Sequence, residues 1–424
     1  MLNSDMTPSR LDMARFEQPL AGRRVLIIVE NLPLPFDRRV WHECCTLRAA
    51  GADVAVICPT GRGYESLYEE LEGVHIYRHP LPLDASGALG YAAEYAVALY
   101  HELRLAVKVA RRHGFDTVHA CNPPDLIFLV ALPFKLAGKR FLFDHHDINP
   151  ELYEAKFGRR GFFWRLMLLF ERLTFRAADV VISTNESYRD IALDRGGIAA
   201  QDVFVVRSGP DLHRLRVSAP EARWRKGRAH MVGYVGVMGD QEGLDLLLQA
   251  ARQMILDEGC DVQFVLVGGG PALRGLRSMA ADLGIADHVT FTGRVPDAAL
   301  FSVLSSADVC VNPDRVNAMN DKSTMNKVLE YMAFGKAMVQ FDLKEGRFSA
   351  GRASLYARAN DTADLADKIS WLLEHPQQAR EMGVFGRQRV ENELSWDHQV
   401  DTLIAAYQRL EAKKPGRKRT ASKA

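Results

Sequence analysis

The segment Asp321-Lys-Ser-Thr-Met-Asn-Lys-Val-Leu-Glu-Tyr-Met-Ala-Phe-Gly335 carries charge at a spacing suited to a phosphorylated ligand. Ser323 can cap and Gly335 can stop a helix of about three turns, whose first-turn amides lack helical partners and attract an anion. Lys322 and Lys327 add cations at that end. Glu330 stands seven positions after Ser323, about 10 Å along a helix axis and roughly the reach from a diphosphate to a ribose. The same segment also reads as a surface helix on which Lys327 and Glu330, at i and i+3, pair with each other.

Three other loops hold groups capable of chemistry. In Val267-Gly-Gly-Gly-Pro271 the glycines, Gly268 and Gly270 among them, allow a ligand close to the backbone, or simply make a tight turn. Leu273 stands where a dinucleotide fingerprint needs its third glycine, and no acid ends the next strand, so NAD is not expected. In Phe143-Asp-His-His-Asp-Ile-Asn-Pro-Glu151, adjacent His145 and His146 point to opposite faces of a strand, and no third ligand sits at a helical spacing. No metal is expected there; one histidine hydrogen-bonds a substrate hydroxyl, or is a satisfied structural residue. In Asn31-Leu-Pro-Leu-Pro-Phe-Asp-Arg-Arg39, Asp37 can cap a helix in whose first turn Arg38 and Arg39 oppose the dipole. That placement fits a bound anion, or arginines paired with carboxylates such as Asp37 or Glu43.

The elements that must position these loops follow an α/β rhythm. Strand patterns at 25–30, 53–58, 74–78, 117–119, 141–144, 180–184 and 203–206 alternate with helical patterns at 38–50, 91–113, 162–177 and 187–195. After an aperiodic stretch the rhythm restarts, with strands at 231–235, 262–267, 289–292, 309–312 and 337–341 and helices at 244–257, 271–283, 297–306, 324–334 and 362–374. The expected layout is a disordered segment 1–20, a Rossmann-like domain 21–208, a linker 209–230, a second such domain 231–385, a helical segment 386–412 and a basic disordered tail 413–424. Ligands of such sheets bind beyond the carboxyl ends of the strands, where all four loops lie.

Composition excludes several classes. Of 424 residues, 47% are apolar and 25% charged, the balance of a globular chain. Fifty-four Lys and Arg against 53 Asp and Glu leave +1, no field for nucleic acid. The longest apolar run, 126–134, is too short to span a bilayer, and no signal-peptide core is evident, so a cytoplasmic protein is expected. The six cysteines include no C-x-x-C pair, so neither disulfides nor a zinc site are expected.

Taken in order, Asp37-Arg-Arg-Val-Trp-His-Glu43, Leu47-Arg-Ala-Ala-Gly51, Asn122-Pro-Pro-Asp125, the His-His-Asp loop, Gly233-Tyr-Val-Gly236, Val267-Gly-Gly-Gly-Pro271, Val289-Thr-Phe-Thr-Gly-Arg-Val295, Ala307-Asp308 and Asn326-Lys-Val-Leu-Glu-Tyr-Met-Ala333 resemble the retaining, nucleotide-sugar-dependent glycosyltransferases of family 4, of the bacterial surface-polysaccharide type. The resemblance covers nearly the whole chain. It implies the GT-B fold, with two tandem Rossmann-like doubly wound domains facing a cleft, an acceptor domain first and a donor domain second, and a C-terminal helix crossing back to the first. It implies hexosyl or related transfer from a nucleotide sugar to a hydroxyl acceptor with retention. Glu330 is then similar to the family's ribose-binding Glu, Arg294 and Val295 to its base-contacting turn, and His145 or His146, beside Asp147, to its acceptor-side catalytic histidine. No cofactor beyond the nucleotide-sugar co-substrate is implied.

The chain departs from that pattern at three places. Lys322 replaces a Glu paired with the ribose Glu, Val237 and Glu242 replace the diphosphate Arg and Lys in the loop from Gly236 to Gly243, and Leu34-Pro-Phe-Asp-Arg38 replaces a glycine pair. Phosphate charge must then be met by Lys322, Lys327, Arg347 and the amides of residues 323–325. A nucleotide-sugar-binding module without turnover, or a sugar-nucleotide epimerase of similar two-domain shape, stay as alternatives. The stretch 156–172 interleaves Phe162, Phe163, Trp164 and Phe170 with Arg159, Arg160, Arg165 and Arg172. It suits peripheral attachment to the inner face of the plasma membrane and a lipid-linked saccharide acceptor, or else a helix packed on its sheet through Leu166, Leu169 and Leu173.

Overall fold

The computed structural model describes residues 18–80 and 87–413, with side chains from 95 on in the helix that begins at 87. They fall into two compact units, one of residues up to Arg207 together with those from Gln399 on, the other Ser208–His398.

The first unit is built on β1 (Arg24–Ile28), β2 (Asp53–Pro59), β3 (Tyr68–Leu71), β4 (Val74–His79), β5 (Thr117–Cys121), β6 (Arg140–His145), β7 (Val180–Ser183) and β8 (Val203–Val205). Their order in the sheet is β3-β4-β2-β1-β5-β6-β7-β8, all parallel except the β3–β4 pair. The central strands are continuous apolar runs because both faces are covered by helices. These are α1 (Arg38–Ala49), α2 (Gly87–Arg112), α3 (Phe128–Leu136), α4 (Asn149–Phe157), α5 (Phe162–Ala177) and α6 (Glu186–Asp194), with α14 (Asp397–Ala412) closing the unit. From α14, Tyr407 shares a 2.8 Å hydrogen bond with His119 on β5, and Arg409 bonds Asp202 at 2.8 Å.

The second unit has β9 (His230–Val235), β10 (Val262–Val267), β11 (Val289–Gly293), β12 (Val309–Asn312), β13 (Met338–Phe341) and β14 (Ser354–Ala357), in the order β11-β10-β9-β12-β13-β14, every pair parallel. Its helices are α7 (Leu244–Arg252), α8 (Leu273–Asp282), α9 (Asp297–Ser306), α10 (Asn326–Ala333), α11 (Lys344–Ala350), α12 (Thr362–Glu374) and α13 (Pro376–Arg389). Each unit is a doubly wound α/β layer structure.

Several sequence expectations are corrected. Strands β3 and β14 were not expected: Tyr-Glu-Glu-Leu and Ser-Leu-Tyr-Ala are short edge strands with little period-2 contrast. The 126–134 run is mostly helix despite Pro133. Leu20, placed in a disordered segment, is fully buried and its N–H bonds Ala50 O at 2.9 Å; residues 1–17 lie outside the described residues. At the other end Lys413 pairs with Asp202, and the rest of the basic tail lies outside them. All six cysteines are free thiols.

Candidate functional site

In the second unit, Lys327 and Glu330 lie on α10, which is shorter than expected. The helix begins at Asn326 with Met325 as its cap residue, and Ser323 is not the cap. A 3-10 turn over Asn320–Lys322 precedes it, so Ser323 Oγ donates to Met319 O at 2.9 Å and its amide bonds Asn320 O at 3.2 Å. The local turn satisfies Ser323 before the helix can use it. Lys322 ends that turn, half-buried. Two features fix α10 on the sheet. Tyr331 Oη accepts from Val235 N at 2.9 Å and donates to Val311 O at 3.2 Å, tying the helix to the carboxyl ends of β9 and β12. Gly383 of α13 lets that helix approach the Gly335 turn: a Cβ on Gly383 would sit 2.0 Å from Gly335 O.

Lys327 does not stand alone. Its ammonium lies 2.6 Å from Asp314 Oδ1, after β12, and 5.1 Å from the Tyr234 ring centroid. Burial would discharge the lysine, but Asp314, together with Tyr234 and Glu242, outweighs it and holds the ammonium charged. Its stem passes Gly236, where a Cβ would lie 3.3 Å from Lys327 Cε. The loop Gly236–Gly243 supplies Glu242, whose Oε2 accepts from Gly239 N at 3.0 Å. Burial pushes the Glu242 carboxyl up, while Lys327 pulls it down. Glu330, one turn beyond Lys327, is half-buried.

The glycines of the Val267–Pro271 loop have a structural explanation. Gly268, at φ +130°, faces Gly236 O so closely that a Cβ would be 1.9 Å away, and a Cβ on Gly270 would be 2.5 Å from Met238 O. They let two loops press backbone to backbone. Arg294 is exposed and Val295 half-buried just past β11. Arg347 is exposed and held in a bidentate pair by Asp342, at 2.9 and 2.6 Å, over the Tyr356 ring. Its fork is thus already engaged, which weakens it as a phosphate ligand.

In the first unit, period-2 alternation along β6 sorts the His-His-Asp loop. Asp144 and His146 face one way and His145 the other. His145 is fully buried among Phe143, Phe175 and Tyr188, with ring centroids 5.6, 5.0 and 5.1 Å away. Burial lowers its pKa to about 3, keeping the ring neutral. It is a core residue, and the expectation that it could serve as the acceptor-side histidine is corrected. The His146 side chain is 11% exposed, its Nε2 2.9 Å from Arg39 Nε and against Asp144 Oδ2. The backbone of the loop is pinned by Asn122, whose Oδ1 accepts from His146 N at 2.7 Å and Asp147 N at 3.2 Å and whose Nδ2 donates to Asp147 O at 2.6 Å. The half-buried Asp147 carboxyl is pushed up by burial and pulled down by His146.

Arg39 answers one of the two readings offered for the arginine pair. Asp37 caps α1 through Val40 N at 3.2 Å. Arg39 then turns inward, donating to Asp144 Oδ1 at 2.9 Å and Val206 O at 2.6 Å and lying 3.2 Å from Glu43. It is a buried paired cation, not a free anion ligand, which corrects its place among the phosphate-side residues; Arg38 is half-buried. Burial would raise Asp144, but Arg39 and His146 hold it well below the usual carboxylate range, whereas burial and then Asp144 push Glu43 well above it. His119 and Cys121 on β5 complete the cluster, His119 Nε2 3.6 Å from Asp144 Oδ2.

Two triplets here, His119, Cys121 and Asp144, and Glu43, Asp144 and His146, bring ligand-type atoms within 4.8 Å of one another. Both share Asp144, whose charge Arg39 already meets, so a metal ion would have to displace a guanidinium. The sequence did not single out Asp144, His119 or Asp314. The signal for Asp144 and His119 was alternation along the strands; Asp314, remote from Lys327 in sequence, had none.

Residues 37–214 match the model of Glycosyltransferase Family 4, and residues 229–375 that of Glycosyl transferases group 1. The chain is similar to 2-deoxystreptamine glucosyltransferase of Streptomyces kanamyceticus, 24% identical over 348 residues that cover 80% of this chain and 88% of that one. Among solved structures it is similar to sucrose-phosphate synthase from Thermosynechococcus elongatus, with TM-score 0.74, 18% identity and coverage of 92% and 99%. The Anabaena protein HepE, in complex with UDP and glucose, superposes with TM-score 0.70, 16% identity and coverage of 92% and 99%.

Proposed function

We infer donor, acceptor and mechanism from one premise: the chain belongs to glycosyltransferase family 4, has the GT-B fold and is an enzyme that transfers sugar. The donor is a nucleoside diphosphate sugar bound at α10. The observation that carries this reading is the arrangement on one helix: Lys327, its stem passing Gly236, at the N-terminal end, and Glu330 a turn further on. Amides of the first turn and Lys327 meet the charge of the leaving diphosphate, and Glu330 accepts from ribose hydroxyls. The binding of UDP by HepE supports a nucleotide of this class. The sugar moves to an acceptor hydroxyl with retention, through an oxocarbenium-like transition state, and His146 contacts a hydroxyl at the reacting end. At Asp144 itself, Arg39 stands where a cation would sit, its Nη2 2.9 Å from Oδ1.

Calorimetry with UDP, ADP and GDP tests the donor site. Glu330→Gln should weaken nucleotide binding by about 1.5–3 kcal/mol, roughly 10–150-fold, since a charge-assisted hydrogen bond is lost. Unchanged affinity returns α10 to a surface helix.

The acceptor is proposed to be a lipid-linked saccharide in surface-polysaccharide assembly, reached by peripheral attachment to the inner face of the plasma membrane. Support comes from α5, where Phe162 is 74%, Phe163 46% and Leu169 49% exposed. Leu169, a residue that sheet packing was expected to bury, points out; the buried residues of α5 are Glu171, Thr174 and Phe175. The neighbouring α3 exposes Leu129, Leu132 and Leu136, and Arg159, Arg160, Arg165 and Arg172 in the same stretch as α5 are exposed, Arg160 paired with Glu154 at 2.9 Å. Among the described residues no helix is long and apolar enough to cross a membrane. Protein should sediment with anionic liposomes at low salt, and F162S/F163S should remain in the supernatant. Wild-type protein that stays soluble and glycosylates only soluble acceptors refutes the attachment while leaving the transferase reading intact.

A further inference from the structure

Lys327 stands in more negative charge than a diphosphate site needs. Four titratable groups meet there: Tyr234 from β9, Glu242 from the loop after it, Asp314 after β12, and Lys327 from α10. The Asp314 side chain is 2% and that of Lys327 11% exposed, and the two are 2.6 Å apart. With both carboxylates ionised and the lysine charged, the cluster sums to −1. An ammonium held this closely by a carboxylate that water barely reaches is available to a phosphate only when the carboxylate gives it up.

We propose that the donor's diphosphate takes Lys327 from Asp314, and that Asp314, left buried without its cation, takes up a proton from solvent as the donor binds. Asp314 thereby sets the affinity for the diphosphate, as a competitor for the lysine. The proposal rests on the assignment of Lys327 to the donor diphosphate. An isolated carboxylate in a dry site neutralises instead of staying charged. Burial already pushes the Asp314 carboxyl up even with Lys327 in place. The proton moves from buffer to an Asp314 carboxylate oxygen, and no bond of the donor is made or broken. Glu242 is the other group that could accept it. Its Oε2 already takes the Gly239 amide, so its charge is partly satisfied where that of Asp314 is not.

The test is calorimetry of the full chain with UDP at pH 7.5, in buffers of low and high ionisation enthalpy such as PIPES and Tris. The dependence of the heat on the buffer counts protons. At this pH the terminal phosphate of UDP is mostly ionised, its last pKa lying near ~6 as in other phosphate esters, so ligand titration alone releases protons and cannot mimic uptake. Wild-type protein should take up close to one proton per UDP. D314N should take up close to none and should bind UDP about tenfold more tightly, because the amide no longer competes for the ammonium by charge. Binding without uptake in wild type overturns the proposal with no variant needed. Uptake that persists in D314N and disappears in E242Q overturns the assignment to Asp314. Weaker binding by a D314N chain with unchanged circular dichroism also overturns it, and makes Asp314 an orienting partner of the lysine. No heat with UDP, ADP or GDP overturns the donor site at α10 itself.

Discussion

Replacing Arg39 by methionine should cost the protein about 3–5 kcal/mol of stability, the usual result of removing one partner from a buried ion pair. Methionine fills much of the space of the stem, so the cost is electrostatic: Asp144, fully buried, keeps its charge with no guanidinium, and Val206 O loses its donor. Equilibrium denaturation by urea reads this as a lower midpoint at unchanged slope. The pH dependence carries a sign. In the wild type the Asp144 pKa is depressed, so its stabilising contribution is present above the unfolded value of ~3.9 and is lost as pH falls through the folded one. In R39M, burial pushes Asp144 the other way, so the folded variant takes up a proton that the wild type does not, and the deficit should narrow as pH falls from 7 towards 4. A deficit below about 1 kcal/mol, or one that widens in acid, rejects this account of the cluster.

His146→Ala should lower turnover about 100-fold while donor affinity stays within about twofold, which is what losing one preorganised donor at a reacting centre costs. The ring is the reachable imidazole of the His-His pair. It is oriented from one side by Asp144 and Arg39, and from the backbone by Asn122. His145→Ala serves as the contrast: it opens space among Phe143, Phe175 and Tyr188, so it should act on stability more than on catalysis. Single-turnover measurements separate the two. Equal turnover in H146A and wild type makes the loop structural, and a larger catalytic loss in H145A than in H146A reverses the assignment.

The fold was legible because both sheets bury their strands on two faces, which writes each central strand as an apolar run between turn residues. What escaped was set by position at the edge or by distance along the chain. Tyr68–Leu71 borrows its pairing from β4 and carries two glutamates, so nothing local marks it. At the sites, local rules went as far as local physics. Alternation separated His145 from His146 but could not say which face was core. Capping chemistry named Ser323, and the 3-10 turn at Asn320–Lys322 took that hydroxyl first. Asp314 and Lys327 meet only because β12 and α10 come together in the folded unit. An acid after a strand gives no sign of the lysine it will hold.

The split of the first unit between the stretch up to Arg207 and the residues from Gln399 on has a consequence for synthesis. The second unit is one unbroken stretch and is complete as it leaves the ribosome. The first is not: when β5 emerges, the tyrosine that will bond His119 is 288 residues away from it, still untranslated. Until α14 arrives, a buried imidazole, the Asp202 carboxylate and the flank of the first sheet stay open to chaperones and to proteases. The earlier half of the gene therefore yields the later half of the finished protein, and a premature stop after residue 398 leaves the second unit whole beside an unfinished first.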